Sequence, residues 1–340
     1  MKAVIAGAGL AGRLTAWRLA RAGWQVSLYD AARRHDMHSA SAVAAAMLSP
    51  LAELATADLA VFQLGQRAMA LWPQWLEELH HDSGCAVYHR CEGTLVVAHA
   101  PDLGSLAQFE RSLRHKLPAA HEAQVRTVLG EAIGEIEPLL AGRFEHGLFL
   151  EGEGQLANNE LLLALAMALE RLNVRWHDGE AVHSLKGIAD HADVLIDARG
   201  LGARADWPRL RGVRGEIITL ECRDASLRRP VRLMHPRYPL YVVPRPGHRF
   251  MVGATELESE DSGPITLRSV LELGSALHSL HPAFGEARVL HTAAAVRPAL
   301  DDNCPALRLH DGVWQLNGLY RHGYLCAPAL VDSLMGSLNA

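Results

Sequence analysis

The sequence predicts an α/β protein in which a parallel-sheet domain is interleaved with a mixed, largely antiparallel α+β domain. At the N-terminus an apolar strand runs directly into a glycine-rich turn and a helix. The middle of the chain is instead a series of short apolar runs split by Pro and Gly, and strand and helix signals return towards the C-terminal end. A length of 340 residues suits two such units. The first is expected over 1–84, 140–202 and 291–340, the second over 85–139 and 203–290.

Taken in order, residues 2–6 form a short apolar strand and 7–12 a glycine-rich turn. Residues 13–22 have helical periodicity, and Gly23 is suited to end that helix. A second strand covers 25–29, with Asp30 at its end. Helices are predicted over 57–81 and 159–172; the run 161–169 is apolar on all faces, which predicts burial. A strand over 193–198 leads to Gly200. Short strands follow at 215–221, 231–235, 240–244 and 249–254, the last two joined by a turn at Pro246-Gly247-His248. Residues 266–280 read as a helix stopped by Pro282, 288–296 and 313–317 as strands, and 328–338 as a closing helix.

Hydrophobic residues at 49% and charged residues at 21% describe a chain that can bury a core rather than a disordered one. Lys and Arg number 33 against 38 Asp and Glu, and the net charge of −5 excludes a surface built to coat nucleic acid. The 5 cysteines include no CxxC pair, and an odd number leaves a free thiol, which suits a reducing compartment. The 19 histidines include no HExxH, so no metal site is expected. Residues 1–12 imitate a signal peptide, but glycines break the apolar run and no basic cluster precedes it. No run approaches the roughly 18 apolar residues that span a bilayer. The expected location is the cytoplasm.

The segment Gly7-Ala8-Gly9-Leu10-Ala11-Gly12 is a GxGxxG placed after a strand and opening a helix. Gly7 permits the tight turn, Gly9 lets the backbone approach a pyrophosphate, and Gly12 lets helix and strand pack closely. The helix N-terminus offers free N–H groups to phosphates, and Asp30 can accept hydrogen bonds from ribose hydroxyls. This fingerprint is common to FAD and NAD sites.

Later segments separate the two. Tyr241-Val242-Val243-Pro244 and Gly253-Ala254-Thr255-Glu256 resemble the substrate hairpin of the glycine oxidase and D-amino-acid oxidase family. Arg297-Pro298 with Asp302-Asn303, Tyr320-Arg321-His322-Gly323 leading to Ala327-Pro328-Ala329, and Ala44-Ala45-Ala46-Met47-Leu48 are similar to further segments of that family, in the same order. The resemblance covers essentially the whole chain and is nearest to the thiamine-pathway type of glycine oxidase. It implies a Rossmann-like FAD-binding domain, FAD held non-covalently, a small amino acid as substrate and oxidation of its Cα–N bond. Hydride would pass to the flavin, molecular oxygen would be the acceptor giving hydrogen peroxide, and the imine would hydrolyse to a 2-oxo acid and ammonia. The alternatives are an FAD-dependent D-amino-acid dehydrogenase with another acceptor, and a catalytically silent FAD-binding protein. A homo-oligomer is compatible with either.

A substrate carboxylate calls for a planar, bidentate cation, for which Arg297 is the choice, with the Tyr241 hydroxyl as second donor. The resemblance places Arg321 near the flavin and the carboxylate, and Glu256 and Met47 at the substrate entrance. It adds Ser41, Ala46, Leu48, Val182, Gly200, Tyr320, His322, Gly323, Tyr324 and Leu325 to the cofactor-binding set of Gly7, Gly9, Leu10, Ala11, Gly12, Asp30, Met47, Arg297 and Arg321. Each has a structural alternative: Arg297 as an ion-pair residue, Tyr241 as a core tyrosine, Arg321 and His322 as strand caps, Glu256 as a solvated carboxylate. Cys304 reads as structural. The sequence departs from the family at Ala46, where glycine is usual, at Asn158-Asn159 in place of Asp-Pro, and at Leu319 in place of His. The segment 200–215 is also short for the family.

Overall fold

The strand Lys2–Ala6 is apolar beyond its first residue and lies at the centre of a sheet, parallel to Gln25–Asp30 on one side and Val194–Asp197 on the other. The computed structural model describes residues 1–34, 36, 39–235 and 240–338, and among them the strands form three sheets. The six-stranded sheet runs Ala306–His310, Val313–Asn317, Val194–Asp197, Lys2–Ala6, Gln25–Asp30, Arg175–Asp178. All its pairs are parallel except the first, a hairpin that closes one edge. The helices Leu10–Arg21, Leu59–Ser83, Asn158–Arg171 and Gly323–Leu338 pack Leu14, Trp17, Trp72, Leu165 and Leu330 into its core.

The eight-stranded sheet is mixed and largely antiparallel, in the order Arg288–Ala299, Arg211–Glu221, Arg249–Gly253, Leu240–Arg245, Val231–Met234, Thr94–Ala98, His146–Leu150, Val125–Leu129. Val231–Met234 with Thr94–Ala98 is its parallel pair. A three-stranded sheet of Met47–Leu48, Gly154–Leu156 and His89–Arg90 lies apart from both. The α/β class is therefore as expected, with sheets of both parallel and mixed type. His146–Leu150 and residues 291–299, expected in the first unit, pair within the larger sheet.

Element ends differ where capping decides them. The first helix starts at Leu10, inside the glycine turn, because Gly9 serves as its N-cap. The long helix starts at Leu59 because the Asp58 carboxylate accepts the Ala60 N–H. The closing helix starts at Gly323 rather than 328. Pro328 lies inside the helix, where it cannot bond the carbonyl four residues back. That carbonyl, on Tyr324, instead accepts the Trp72 indole N–H at 3.0 Å. The expectation of all-round burial for 161–169 fails at Leu163, which is 48% exposed. Among the described residues no helix is long and apolar enough to cross a membrane.

Candidate active site

A cavity of about 650 Å³ is lined by the C-terminal edge of the parallel sheet and by one face of the larger sheet. Its first wall is the glycine turn. Gly7 has φ +99°, and a Cβ there would lie 2.3 Å from the Ala198 carbonyl oxygen. A Cβ on Gly12 would lie 1.7 Å from the Gly7 carbonyl oxygen, so helix and turn close only on a bare backbone. At Gly9 a Cβ would meet nothing within 4 Å, because that face opens on the cavity. The helix begins there without a side-chain cap, leaving its first-turn N–H groups for a ligand. Asp30 accepts the Ala32 N–H at 2.8 Å and that of Ala8 with its other oxygen, which fixes the turn. Buried Arg13 donates to the Ala8 carbonyl at 2.7 Å from below.

The second wall is the segment of Ala44, Ala45, Ala46 and Met47. Arg245 donates to the carbonyls of Ala45 at 2.6 Å and Leu156 at 2.8 Å, and to the Gln155 side chain. Asn158 donates to the Ala42 carbonyl at 2.6 Å, and the Tyr324 hydroxyl to that of Ser41 at 2.9 Å. Asn158 and Tyr324 therefore anchor this segment from two different helices.

The third wall carries the charges. Arg297 sits on Arg288–Ala299, and its guanidinium lies over Gly215 of the neighbouring strand, where a Cβ would be 2.0 Å from Nη2. Its Nη1 donates to the Thr255 carbonyl at 3.2 Å. The other cavity arginines are answered by acids: Arg199 by Asp197 and Asp206, Arg232 by Glu53, Arg321 by Glu53 and Glu256. Among the described residues Arg297 has no carboxylate at ion-pair distance, so the ion-pair alternative for it fails. Tyr241 lines the cavity beside it, and burial pushes its hydroxyl pKa up, which keeps the group a donor.

Residues 2–332 match the family described as FAD dependent oxidoreductase. The chain belongs to that family. It is 43% identical to ThiO of Rhizobium etli, an oxidoreductase named for thiamine biosynthesis, over 98% of this chain and 95% of that one. It is 26% identical to the glycine oxidase of Geobacillus kaustophilus over 95% of this chain and 89% of the relative. The crystal structure of glycine oxidase from Geobacillus kaustophilus has the same fold, with a TM-score of 0.85 at 23% identity, covering 99% and 93% of the two chains. So does iminodiacetate oxidase from Chelativorans, with a TM-score of 0.82 at 22% identity, covering 98% and 95%.

As a member of this family the protein is an FAD-dependent oxidoreductase, similar to ThiO and the glycine oxidases. The residues present fit FAD: an open backbone face at Gly9, an uncapped helix N-terminus and Asp30 share one wall. Of the expected cofactor-binding residues, Gly7, Gly9, Leu10, Ala11, Asp30, Ser41, Ala46, Met47, Gly200, Arg297, Tyr320, Arg321, Gly323, Tyr324 and Leu325 line the cavity. Gly12 lies behind the turn and Leu48 in the core. Val182 packs with Val4 and Val313, its carbonyl accepting Arg199 Nη1 at 2.8 Å. His322 is buried with Nδ1 at 3.2 Å from Glu53, away from the cavity wall.

Arg321 lines the cavity, but its donors are occupied: Nε by Glu53 at 2.7 Å, Nη1 by Glu256 at 2.8 Å, Nη2 by Thr56 at 2.5 Å. Glu256 is likewise engaged, accepting from Arg321 and from the Tyr320 hydroxyl, although about half of its side chain is exposed. Sequence reasoning missed Glu53, Arg232, Arg199 and Arg245. The available signal was a charge at alternating positions in an apolar strand, as for Arg232 between Val231 and Leu233. Glu53 had none, since its partners come from distant segments.

Proposed function

We propose that this protein oxidises the Cα–N bond of glycine or a small D- or N-methyl amino acid, with molecular oxygen as final acceptor. One observation carries the reading: Arg297 is, among the described residues, the cavity guanidinium without a carboxylate partner, and it stands beside a protonated Tyr241. Bound FAD supplies the acceptor for the hydride and its two electrons. Arg297 would hold the substrate carboxylate through paired N–H donors, and the Tyr241 hydroxyl would add a third. Two fixed points at one end of so small a substrate orient its Cα–H, which is the main task of a site for direct hydride transfer. The amine gives up a proton as the Cα hydride leaves, the Cα–N bond becomes a C=N imine, and hydrolysis of that imine gives a 2-oxo acid and ammonia, or methylamine from an N-methyl substrate.

An amino-acid panel tests this on the FAD-loaded protein without air. Bleaching of the flavin band by glycine or a small relative is expected, with rapid recovery and hydrogen peroxide when air is admitted. Bleaching without recovery in air would reassign the protein as a dehydrogenase with another acceptor. Arg297→Ala should weaken amino-acid binding more than a hundredfold, since losing a desolvated bidentate charge costs on the order of 3 kcal/mol. Unchanged affinity would remove Arg297 from the carboxylate site.

A further inference from the structure

We propose that Glu53 and Glu256 act as specificity residues that mask Arg321, so that the cavity accepts amino acids with one carboxylate and rejects dicarboxylates. The inference rests on the assignment of Arg297 to the first carboxylate. Arg232, Arg297 and Arg321 all line this end of the cavity, and so do Glu53 and Glu256. Three cations in one pocket would ordinarily suit a substrate with more than one anionic group. Here the two acids answer two of them, and all four carboxylate oxygens are engaged. Glu53 takes Arg232 at 3.1 Å on one oxygen and Arg321 at 2.7 Å on the other. Glu256 takes the Tyr320 hydroxyl on one and Arg321 at 2.8 Å on the other. The neighbouring arginines hold the Glu53 pKa well below the usual carboxylate range, so its negative charge persists.

The mask is close enough to the first site to matter. Tyr320, bonded to Glu256, lies within electrostatic reach of both Arg297 and Arg321, and Tyr241 within reach of Arg297, Arg232 and Glu53. A second carboxylate entering beside Arg297 would therefore find, among the described residues, no guanidinium without a carboxylate partner. It would have to break an existing ion pair and then face the displaced glutamate, a like charge beside it. A single carboxylate avoids both costs.

Binding of acetate and malonate to the FAD-loaded protein, followed by the shift of the flavin absorbance band, tests the proposal without turnover. The wild-type protein should bind acetate and discriminate against malonate by about tenfold or more. Glu256→Gln keeps an oxygen for Tyr320 but removes the charge, and should improve malonate relative to acetate by about tenfold. Adding Arg321→Met to that variant should cancel the gain, an outcome that a merely loosened pocket would not give. If wild-type protein binds malonate as well as acetate, or if the ratio is the same in Glu256→Gln, the mask is refuted while Arg297 stands. If Glu256→Gln does not fold, Arg321→Met alone decides: the mask predicts the wild-type preference for acetate, and a loss of that preference overturns it. Failure of acetate to bind at all overturns the Arg297 assignment, and the mask with it.

Discussion

Gly9 and Gly12 sit in one motif but do separate work, and single substitutions should tell them apart. Gly9 has φ −69°, open to any residue, and a Cβ there meets no protein atom within 4 Å. Gly9→Ala should thus change apoprotein stability by less than about 1 kcal/mol while weakening FAD binding about tenfold or more, by filling the face that the pyrophosphate approaches. At Gly12 the new methyl would lie 1.7 Å from a backbone oxygen, which no side-chain rotation can relieve. Gly12→Ala should lower apoprotein stability by about 3 kcal/mol, because turn and helix must part. Urea unfolding of the apoproteins together with FAD titration checks both. Equal stability loss in the two variants would mean that Gly9 is a packing glycine.

At the scale of elements, the segment from Ala44 to Met47 depends on a side chain from another sheet. Arg245 closes the strand Leu240–Arg245 and reaches Ala45, Gln155 and Leu156, with burial lowering its pKa to about 10, so it stays charged at neutral pH. Arg245→Met should leave these acceptors unpaired and cost about 2 to 3 kcal/mol. The loss should be accompanied by weaker FAD retention, read by flavin release on gel filtration. Retention like that of wild type would show that the segment holds its shape unaided. This arrangement also shows what the sequence could reveal. The opening strand, turn and helix were legible because pattern, capping and motif agree within thirty residues. That Arg297 and Tyr241 belong to one cavity was expected from the resemblance of their segments to the family rather than from strand pattern. The Glu53–Arg232 pair was not, since its members are 179 positions apart and each alone resembles an ordinary surface charge. Thr94–Ala98 escaped for another reason: a short, wholly buried apolar run carries no alternation to mark it as a strand.

For the whole molecule, two adjacent carboxylates set opposing limits on the pH of greatest stability. The arginines beside Glu53 depress its pKa below 4.5, so the stability it contributes is present above that pH and is lost as the pH falls through the lowered value. Glu153 is 0% exposed and accepts the Ala52 N–H at 2.7 Å on one oxygen, with the Thr94 hydroxyl beside the carboxylate. Burial raises its pKa from 4.5 to about 7. Between those values the folded state binds the extra proton, so stability falls as the pH rises and is lowest once Glu153 is ionised in both states. The difference is worth up to about 3 kcal/mol at full burial. The FAD-loaded protein should accordingly be most stable near the lower of these values, about 4.5, and should lose stability as the pH rises towards about 7. Glu153→Gln retains an oxygen for Ala52 and cannot ionise. It should exceed wild type by less than about 1 kcal/mol at pH 5 and by up to about 3 kcal/mol at pH 8. Urea midpoints at the two pH values measure this directly. A variant less stable than wild type at pH 8 would mean that the Glu153 charge is needed, most directly to balance Arg232, and that the buried acid stabilises the fold in its ionised form.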